Sequence, residues 1–214
     1  MLLVALTGSI ATGKTVVAAV FKELGCYISF SDTIAHELIL PQNPAWKKII
    51  SRFGNKILNQ DQTINRNKLG NLIFSNKEER QFLNSLLHPL VMERKIKLIQ
   101  SLKKEKKYRI FISEAALTIE AELTDFFDKI IVTYCRNATQ IQRLQKRDNI
   151  SRKEALSRIS SQITQKDKIK VADYTINTSG NLRKTIEETE QVYRYLLQDF
   201  QLHYGKLETP GKVD

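Results

Sequence analysis

The sequence predicts an α/β fold in three layers, a parallel sheet with helices on both of its faces. Short apolar runs of β-like character alternate with stretches of helical periodicity, and this alternation is typical of parallel sheets. The chain has 214 residues and is 42% hydrophobic, which is enough for the core of one compact domain. The β-like runs lie at residues 2–6, 27–30, 108–113, 129–134 and 174–177.

The first departure from this alternation is a long stretch, residues 43–107, that carries helical signals only. Asn43-Pro44 is an N-cap followed by proline at the first helical position. Gly54 is placed to end that helix, and Asn76 to begin a longer one. The sequence therefore predicts a helical insertion between the second and third strands.

The second departure, residues 137–170, is rich in Arg, Lys and Gln. Ser151 and Glu154 have the spacing of a capping box, which predicts a helix from there to about residue 165. We expect this stretch to form a mobile helical flap over bound phosphates.

The chain is strongly basic, with 34 Lys and Arg against 23 Asp and Glu and a formal net charge of +11. Nucleic acid, an anionic membrane surface and a phosphate-rich small substrate would all suit this charge, so charge alone does not select among them. Cys26 and Cys135 have no metal-ligand spacing and are expected to be buried, reduced thiols. The chain has no signal-like start and no apolar run long enough to cross a bilayer, which predicts a cytoplasmic protein. The charged end, residues 205–214, is expected to be a loose tail.

Residues 8–15, GSIATGKT, match the G-x-x-x-x-G-K-[ST] pattern of a phosphate-binding loop and follow the first apolar run directly. Gly8 and Gly13 permit the tight turn that points several backbone N–H groups at a polyphosphate. Lys14 is placed to reach the β- and γ-phosphates, and the Thr15 hydroxyl is suited to ligate Mg²⁺ at the start of a helix. A turn that only connects a strand to a helix is the structural alternative, but the helical pattern that follows the loop favours nucleotide binding.

Asp32 lies just past the second strand, at the carboxyl end of the sheet, where open α/β folds bind their ligands. A carboxylate there can accept the proton of an attacking hydroxyl, or hold Mg²⁺ through water. The structural alternative is that Ser31 or Asp32 only caps the helix that follows.

His88 precedes Pro89, which interrupts the helical pattern of residues 77–102. Proline removes a backbone donor and clashes with the preceding turn, so we expect a kink or break there. His88 is then either a substrate ligand or base, or a structural residue of that bend.

Several basic side chains lie close together in residues 137–170 and just before them. Arg143 and Arg147 are four residues apart and share a helix face, with Arg136 and Lys146 nearby. Arginines directed at a transferring phosphoryl group would stabilise its negative charge. A solvated basic face is the structural alternative, and the phosphate-binding loop makes it the weaker one.

Beyond the loop, further segments form an ordered set along the chain. The set comprises SDTIAHELILP at 31–41, FG at 53–54, LLHPLV at 86–91, RLQKRDNIS at 143–151, Arg158, SQ at 161–162 and ADYTINTSG at 172–180. Together with LTGSIATGKT, this set spans about residues 2–200 and resembles the dephospho-coenzyme A kinase family. The loop alone fits many kinases, whereas the ordered set does not.

The resemblance implies transfer of the γ-phosphate of ATP to the 3′-hydroxyl of the ribose in dephospho-coenzyme A, giving coenzyme A and ADP. The implied fold is a P-loop core with a parallel five-stranded sheet, a helical substrate-binding insertion and a helical lid. Within one kinase domain at 2–204, the core would occupy about 2–35, 108–136 and 171–204, the insertion about 36–107 and the lid about 137–170. The implied partners are ATP, Mg²⁺ and dephospho-coenzyme A, with no nucleic acid and no membrane.

The resemblance and the loop motif together assign the expected site. Asp32 matches the family's catalytic aspartate, and Lys14 and Arg143 are the other expected catalytic residues. Substrate binding is expected at Asp32, His88 and Glu120, and Mg²⁺ binding at Thr15. ATP binding is expected at Gly8, Ala11, Thr12, Gly13, Lys14, Thr15, Val16, Arg147 and Asn177.

Several positions depart from the family pattern. Ser9 and Ala11 replace two glycines of the family loop at variable positions of the general motif, so phosphate binding is expected to survive. Phe30 stands where the family's first aspartate usually lies, which removes a possible Mg²⁺ or hydroxyl partner. The segment 116–120 keeps the glutamate of the family's Pro-Leu-Leu-x-Glu but lacks its proline, and Thr178 stands where asparagine is common.

Two other functions remain open at this point. Another P-loop small-molecule kinase, of the nucleoside or shikimate type, would share the loop and the lid but needs no long helical insertion with Leu-His-Pro. A nucleotide-dependent nucleic-acid-binding protein would suit the basic charge, but the sequence has no recognisable RNA or DNA module.

Overall fold

The computed structural model describes residues 1–205, so the expected tail lies, apart from Gly205, outside the described residues. The strands are β1 (Leu2–Thr7), β2 (Tyr27–Phe30), β3 (Ile110–Glu114), β4 (Lys129–Tyr134) and β5 (Tyr174–Asn177). The helices are α1 (Lys14–Glu23), α2 (Ser31–Leu38), α3 (Pro44–Phe53), α4 (Arg66–Ser75), α5 (Lys77–Glu105), α6 (Asn137–Asp148), α7 (Arg152–Ser160), α8 (Gln165–Lys170) and α9 (Leu182–Tyr204). Short 3₁₀ turns lie at Asn55–Ile57 and Thr124–Phe126.

The five strands form one sheet in the order β2-β3-β1-β4-β5, which confirms the predicted α/β class. β1 pairs in parallel with β3 and with β4, and β4 pairs in parallel with β5. Side chains along β1, β3 and β4 are mostly buried, as expected for strands covered by helices on both faces. The predicted runs are close to the observed strands, except that β3 begins at Ile110, the first buried residue of its run, rather than at residue 108.

The sheet register brings the chain segments that follow β1, β4 and β5 to one edge. Thr7 at the end of β1 lies opposite Val132, and Tyr134 at the end of β4 lies opposite Asn177 at the end of β5. The phosphate-binding loop follows β1, so it shares this edge with the segments after β4 and β5. Ligands of open α/β folds bind at this edge.

The chain divides into two compact units. One unit comprises Met1–Ser29 and the described chain from Ser101 onward, and the other comprises Phe30–Gln100. The first contains an apolar cluster built on β1 and β4, formed by Ala5, Phe127, Ile130 and Val132. The second has a core of its own, formed by Ile49, Phe53, Ile57, Ile64, Leu69 and Leu83.

Helix starts in the Phe30–Gln100 unit agree with the cap signals of the sequence. Asn43 is the N-cap of α3 with proline at the next position, and Gly54 is its C-cap with φ 74°. The Asn76 side chain accepts hydrogen bonds from the backbone N–H groups of Glu78 and Glu79, at 2.9 and 3.3 Å. These contacts confirm the predicted helix boundaries.

Helix α5 corrects the expected break at Pro89, because it continues from Lys77 to Glu105 with that proline inside. Proline removes only one hydrogen bond of the helix ladder, and helical residues continue on both sides of it. Leu83 and Val91, before and after the proline, are both buried, so packing supports the helix across this point.

The segment of the expected lid contains α6, α7 and α8. Ser151 Oγ accepts from the Glu154 N–H at 3.2 Å, and Glu154 Oε2 accepts from the Ser151 N–H at 2.9 Å, which confirms the capping box. The prediction that this helix reaches residue 165 is wrong, because α7 ends at Ser160. Thr164 is a second N-cap, whose hydroxyl accepts from the Asp167 N–H at 3.1 Å, and it starts α8 instead.

Both cysteines are buried and free, as predicted. Burial raises the pKa of the Cys26 thiol to about 12, so this side chain is a small apolar core group rather than a nucleophile. Within residues 1–205, no helix combines the length and apolar character that crossing a membrane requires.

Candidate active site

The two glycines of the phosphate-binding loop lie where a side chain would clash. Gly8 has φ 147°, and a Cβ atom there would lie 2.5 Å from the carbonyl oxygen and from Oγ1 of Thr133. Gly13 has φ 87°, and its Cβ would lie 3.1 Å from the Thr178 side chain. The glycines therefore permit a close approach between the loop and the segments at the ends of β4 and β5.

Lys14 lies across the loop. Its Nζ donates hydrogen bonds to the carbonyl oxygens of Gly8 and Ser9, at 3.0 and 3.2 Å. The lysine is also the first residue of α1, so its ammonium and the positive end of the helix dipole act on the same space. An anion bound in the loop would meet both of these positive groups.

The first turn of α1 carries two further residues of the expected ATP site. Thr15 is exposed there, so its hydroxyl is open to a ligand. The Val16 N–H donates to the Gly13 carbonyl at 3.1 Å and completes the turn, while the Val16 side chain is exposed.

Ala11 has a left-handed backbone conformation, with φ 61°. For a residue with a Cβ, this conformation costs about 1–2 kcal/mol relative to the right-handed region. Ile10 and Ala11 pack against a buried apolar cluster of Ile141, Leu144 and Ala155, and this packing offsets the cost. The departure from the family glycine at this position is thus accommodated within the loop.

Thr12 shapes the loop from inside. Its hydroxyl donates to the Ser9 carbonyl at 2.8 Å and pairs with the Thr133 hydroxyl at 2.8 Å. The side chain is fully buried. Its direct role is therefore in the loop's own hydrogen bonding, and contact with ATP stays a prediction.

Arg143 reaches the loop through Thr178. Its guanidinium donates from Nη1 to the Thr178 hydroxyl at 2.9 Å and from Nη2 to the Thr178 carbonyl at 2.6 Å. The same hydroxyl donates to the Thr12 carbonyl at 2.8 Å, and the Thr178 N–H donates to Tyr134 at 2.8 Å. Thr178 is only 2% exposed, so one buried residue joins α6, the loop and the ends of β4 and β5.

Arg147 is held by its neighbour on α6. Its guanidinium pairs with the Asp148 carboxylate at 2.7 Å, and Arg158 donates to the same carboxylate at 2.6 Å. The hydrogen bond from Arg147 and the positive charges of both arginines lower the pKa of Asp148. Arg136 and Lys146 are exposed. Among the four basic residues predicted to lie close together in or just before residues 137–170, Arg143 is therefore the one whose side-chain contact leads to the loop.

Asn177, the last residue of β5, is hydrogen-bonded through its side chain and through its backbone. Its side-chain oxygen accepts from the Ser179 N–H at 2.9 Å, and its backbone N–H donates to the Glu188 carboxylate at 2.7 Å. The residue therefore fixes the turn that carries Thr178, and contact with ATP stays a prediction.

Glu120 pairs with a buried lysine that the sequence did not indicate. Lys168 Nζ lies 2.6 Å from Glu120 Oε2 and 2.8 Å from the Ala116 carbonyl, and its side chain is 0% exposed. Burial lowers the pKa of Lys168, while its hydrogen bond to the Glu120 carboxylate opposes that change. The pair joins α8 to the segment after β3. Lys168 stands among other charged residues on a short polar helix, so no hydrophobic periodicity marks it as buried.

Asp32 lies in the Phe30–Gln100 unit, in the first turn of α2, and is exposed. The alternative that Ser31 or Asp32 only caps this helix is wrong. The chain passes from β2 into α2 without a connecting residue, so Phe30, rather than Ser31 or Asp32, is the N-cap of α2. A carboxylate in the first turn interacts favourably with the helix dipole and stays accessible to a ligand.

His88 is half-buried in the middle of α5. Burial and the charge of Lys95 lower the pKa of His88, so its neutral form is favoured at neutral pH. Lys95 itself is 3% exposed and was not identified from the sequence. The neutral imidazole can donate one hydrogen bond and accept another.

The donor chemistry of the loop fits Mg²⁺. A magnesium ion in a nucleotide site takes most of its ligands from phosphates and water, with one or two protein oxygens. The exposed Thr15 hydroxyl is such an oxygen. Within the described residues, no group of three or more His, Cys, Asp or Glu is arranged to hold a metal ion on its own.

Known proteins of one family match this chain over nearly its whole length. The family model "CoaE: Dephospho-CoA kinase" matches residues 2–184. A dephospho-CoA kinase domain-containing protein of Danio rerio is 39% identical over 197 residues, which cover 92% of this chain and 86% of that protein. A dephospho-CoA kinase of Carboxydothermus hydrogenoformans is 39% identical over 186 residues, covering 87% and 90%.

A solved structure, the dephospho-CoA kinase from Campylobacter jejuni, superposes with a TM-score of 0.66 at 29% sequence identity. The alignment covers 92% of this chain and 98% of that one.

Proposed function

Because this chain belongs to the dephospho-CoA kinase family, we propose that it transfers the γ-phosphate of ATP to the 3′-hydroxyl of the ribose in dephospho-coenzyme A. The products are coenzyme A and ADP, so the protein performs the final step of coenzyme A synthesis. One observation carries the proposal above the others: the family match extends from residue 2 to residue 184 and includes an intact phosphate-binding loop.

In this proposal the loop binds the ATP phosphates. The ammonium of Lys14 moves from the Gly8 and Ser9 carbonyls to the β- and γ-phosphates, which compete for it with a full negative charge. The backbone N–H groups of the loop and the start of α1 supply further donors. Arg143, and Arg147 on the next turn of α6, add positive charge toward the transferring group.

Acceptor chemistry is assigned to Asp32. Its exposed carboxylate orients the ribose 3′-hydroxyl and takes its proton as that oxygen attacks phosphorus in line with the leaving ADP oxygen. Phe30 cannot share this work, so the single carboxylate acts without a second one. His88 and Glu120 bind the acceptor, His88 through its neutral imidazole and Glu120 at the edge formed by residues 116–120.

Thr15 would hold Mg²⁺ through its hydroxyl. When bound, the ion neutralises charge on the phosphate oxygens and favours the leaving of ADP. The chain's own part is to keep the threonine in the first turn of α1, beside Lys14.

In the same proposal, the core, the lid and the insertion have different roles. The core at about 2–35, 108–136 and 171–204 binds ATP, and the lid at about 137–170 covers the phosphates. The insertion at about 36–107 binds dephospho-coenzyme A.

An assay of ADP release with Mg-ATP tests this proposal. Purified protein is incubated with dephospho-coenzyme A, adenosine, shikimate or no acceptor, and the release of ADP is measured with a coupled assay. We expect turnover with dephospho-coenzyme A that exceeds each control by at least about a hundredfold, because the acceptor's remote parts contribute binding energy to the reaction. Equal or greater turnover with adenosine or shikimate would instead favour another P-loop small-molecule kinase.

A further inference from the structure

One residue of the phosphate-binding loop, Ile10, has both of its backbone polar groups bonded to glutamines from outside the loop. The Ile10 N–H donates to Gln162 Oε1 at 2.8 Å. The Ile10 carbonyl accepts from Gln140 Nε2, also at 2.8 Å. Gln140 belongs to α6, and Gln162 to the turn between α7 and α8. The N–H and the carbonyl of Ile10 are therefore both paired with the segment at 137–170.

A third glutamine, Gln165, fixes the side chain of Gln140. Gln165 Nε2 donates to Gln140 Oε1 at 2.8 Å, and Gln165 Oε1 accepts from the Cys135 N–H at 2.9 Å. Gln140 is only 2% exposed. The amide of Gln140 thus has a partner for its oxygen and for its nitrogen, which leaves it one orientation. The chain of hydrogen bonds runs from the end of β4 through two glutamines to the loop.

Apolar packing acts on the same part of the loop. Ile10 and Ala11 contact the buried cluster of Ile141, Leu144 and Ala155, which joins α6 to α7. Ala11, which directly follows Ile10, has a left-handed backbone conformation. Glutamine contacts and packing together hold the loop in a conformation that an alanine does not favour by itself.

We propose that Gln140 and Gln162 are positioning residues for nucleotide binding, which hold the backbone of Ile10 so that the rest of the loop keeps its phosphate-binding shape. The inference rests on the proposed function, since it assumes that the loop binds the phosphates of a nucleotide. A binding site formed in advance costs less conformational entropy when the ligand arrives. Loss of either glutamine therefore weakens nucleotide binding through the shape of the loop.

The chemistry of glutamine suits this task. The backbone of a residue presents one donor and one acceptor, and a neutral amide can satisfy either. A lysine at these positions would compete for the phosphates, and a glutamate would repel them. Glutamine holds the loop without changing the charge that the anion meets.

The test compares one substitution at three glutamines. Gln162→Met and Gln140→Met remove the amide and keep the length of the side chain. Gln142→Met is the matched control, because Gln142 is an exposed glutamine on the same helix as Gln140. Binding of ADP is measured by titration calorimetry, which needs neither acceptor nor turnover. Gln162 is half-buried, so Gln162→Met decides the question even where Gln140→Met does not fold.

We expect Gln162→Met and Gln140→Met each to raise the dissociation constant for ADP about tenfold, the usual effect of one hydrogen bond, and Gln142→Met to leave it unchanged. Hydrogen exchange gives a second readout in the nucleotide-free protein. The Ile10 amide should exchange at least about tenfold faster in Gln162→Met than in the wild type, because its acceptor is gone.

Two results would overturn the inference, and they differ from each other. If the wild type binds ADP and Gln162→Met binds it equally well, the hydrogen bond between Ile10 and Gln162 does not position the loop, while the proposed function stands. A wild-type protein that binds no ADP would remove the proposed function, and the inference with it.

Discussion

Both compact units have an apolar core, but they differ in how far apart in the sequence their polar contacts lie. In the unit that holds the loop, hydrogen bonds join residues far apart in the sequence, such as Thr178 to Thr12 and Ile10 to Gln162, which are 166 and 152 residues apart. In the Phe30–Gln100 unit, an apolar core holds the helices, and polar contacts such as Arg52 to Glu79 span 27 residues. The loop is thus a local sequence motif whose shape depends on distant parts of the chain.

Substitutions in the two units should therefore affect different properties, nucleotide binding in one unit and transfer in the other. Changes around the loop should alter nucleotide binding, because they act on a shape held by many partners. Changes at Asp32 should alter transfer and leave nucleotide binding intact, because that side chain is exposed and takes no part in the loop's hydrogen bonds.

The largest effect is expected from Lys14→Ala. It removes a positive charge from the phosphates in both the ground state and the transition state, so turnover should fall at least about a hundredfold and ADP affinity should fall as well. Steady-state kinetics and calorimetry measure the two quantities, and a melting curve checks the fold. Near-normal turnover in a folded variant would mean that the lysine's contacts with Gly8 and Ser9 are its only role.

Asp32→Asn should be nearly as damaging to transfer but harmless to ATP binding. The amide cannot take the proton of the ribose hydroxyl, so kcat should fall at least about a hundredfold. The dissociation constant for ATP should change by less than about twofold, since only the acceptor side is altered. A variant that keeps its kcat would refute the role of Asp32 as the base.

Thr178→Val should have a smaller effect, and it acts on the loop. Valine keeps the size of threonine but leaves the Thr12 carbonyl and the Arg143 guanidinium without the hydroxyl, so KM for ATP should rise about tenfold. Thr189→Val is the matched control, because Thr189 is also fully buried but donates only to Thr185 within α9. Equal effects of the two variants on KM would show that Thr178 contributes stability alone.

The smallest effect concerns the pH dependence of folding in the Phe30–Gln100 unit. Burial and Lys95 lower the pKa of His88, so its neutral form contributes stability that is fully present above the unfolded value of about 6.5. That stability is lost as the pH falls through the lower folded pKa.

Urea unfolding of the wild type and of His88→Gln, at about pH 8 and about pH 5, measures this contribution. The wild type should lose more stability between the two pH values than the variant does. An equal loss would mean that His88 titrates alike in the folded and unfolded chains.

Much of this architecture follows from local signals in the sequence. The five strands, the caps at Asn43 and Asn76 and the capping box of Ser151 depend on residues close to one another, and the structure agrees with them. The break that Pro89 predicts does not occur, because packing on both sides of it outweighs one missing hydrogen bond. The sequence-based prediction extends the helix after Ser151 past its end at Ser160, and therefore misses Thr164 as the N-cap of α8.

The polar contacts around the loop could not be predicted in the same way. Nothing local marks Lys168 as a buried partner of Glu120, or Gln162 as a partner of Ile10, because each pair forms only after distant segments fold together. Motif spacing predicts which residues bind phosphate. Which residues hold that motif in shape is a property of the tertiary structure.

The mass spectrum of the acceptor after reaction tests the central claim most directly. Protein, Mg-ATP and dephospho-coenzyme A are incubated together, and the acceptor is isolated and fragmented. The account predicts a product that is heavier by one phosphate group, with that group on the 3′-oxygen of the ribose. An unchanged acceptor, or a phosphate elsewhere on it, from protein that binds ATP would contradict the account.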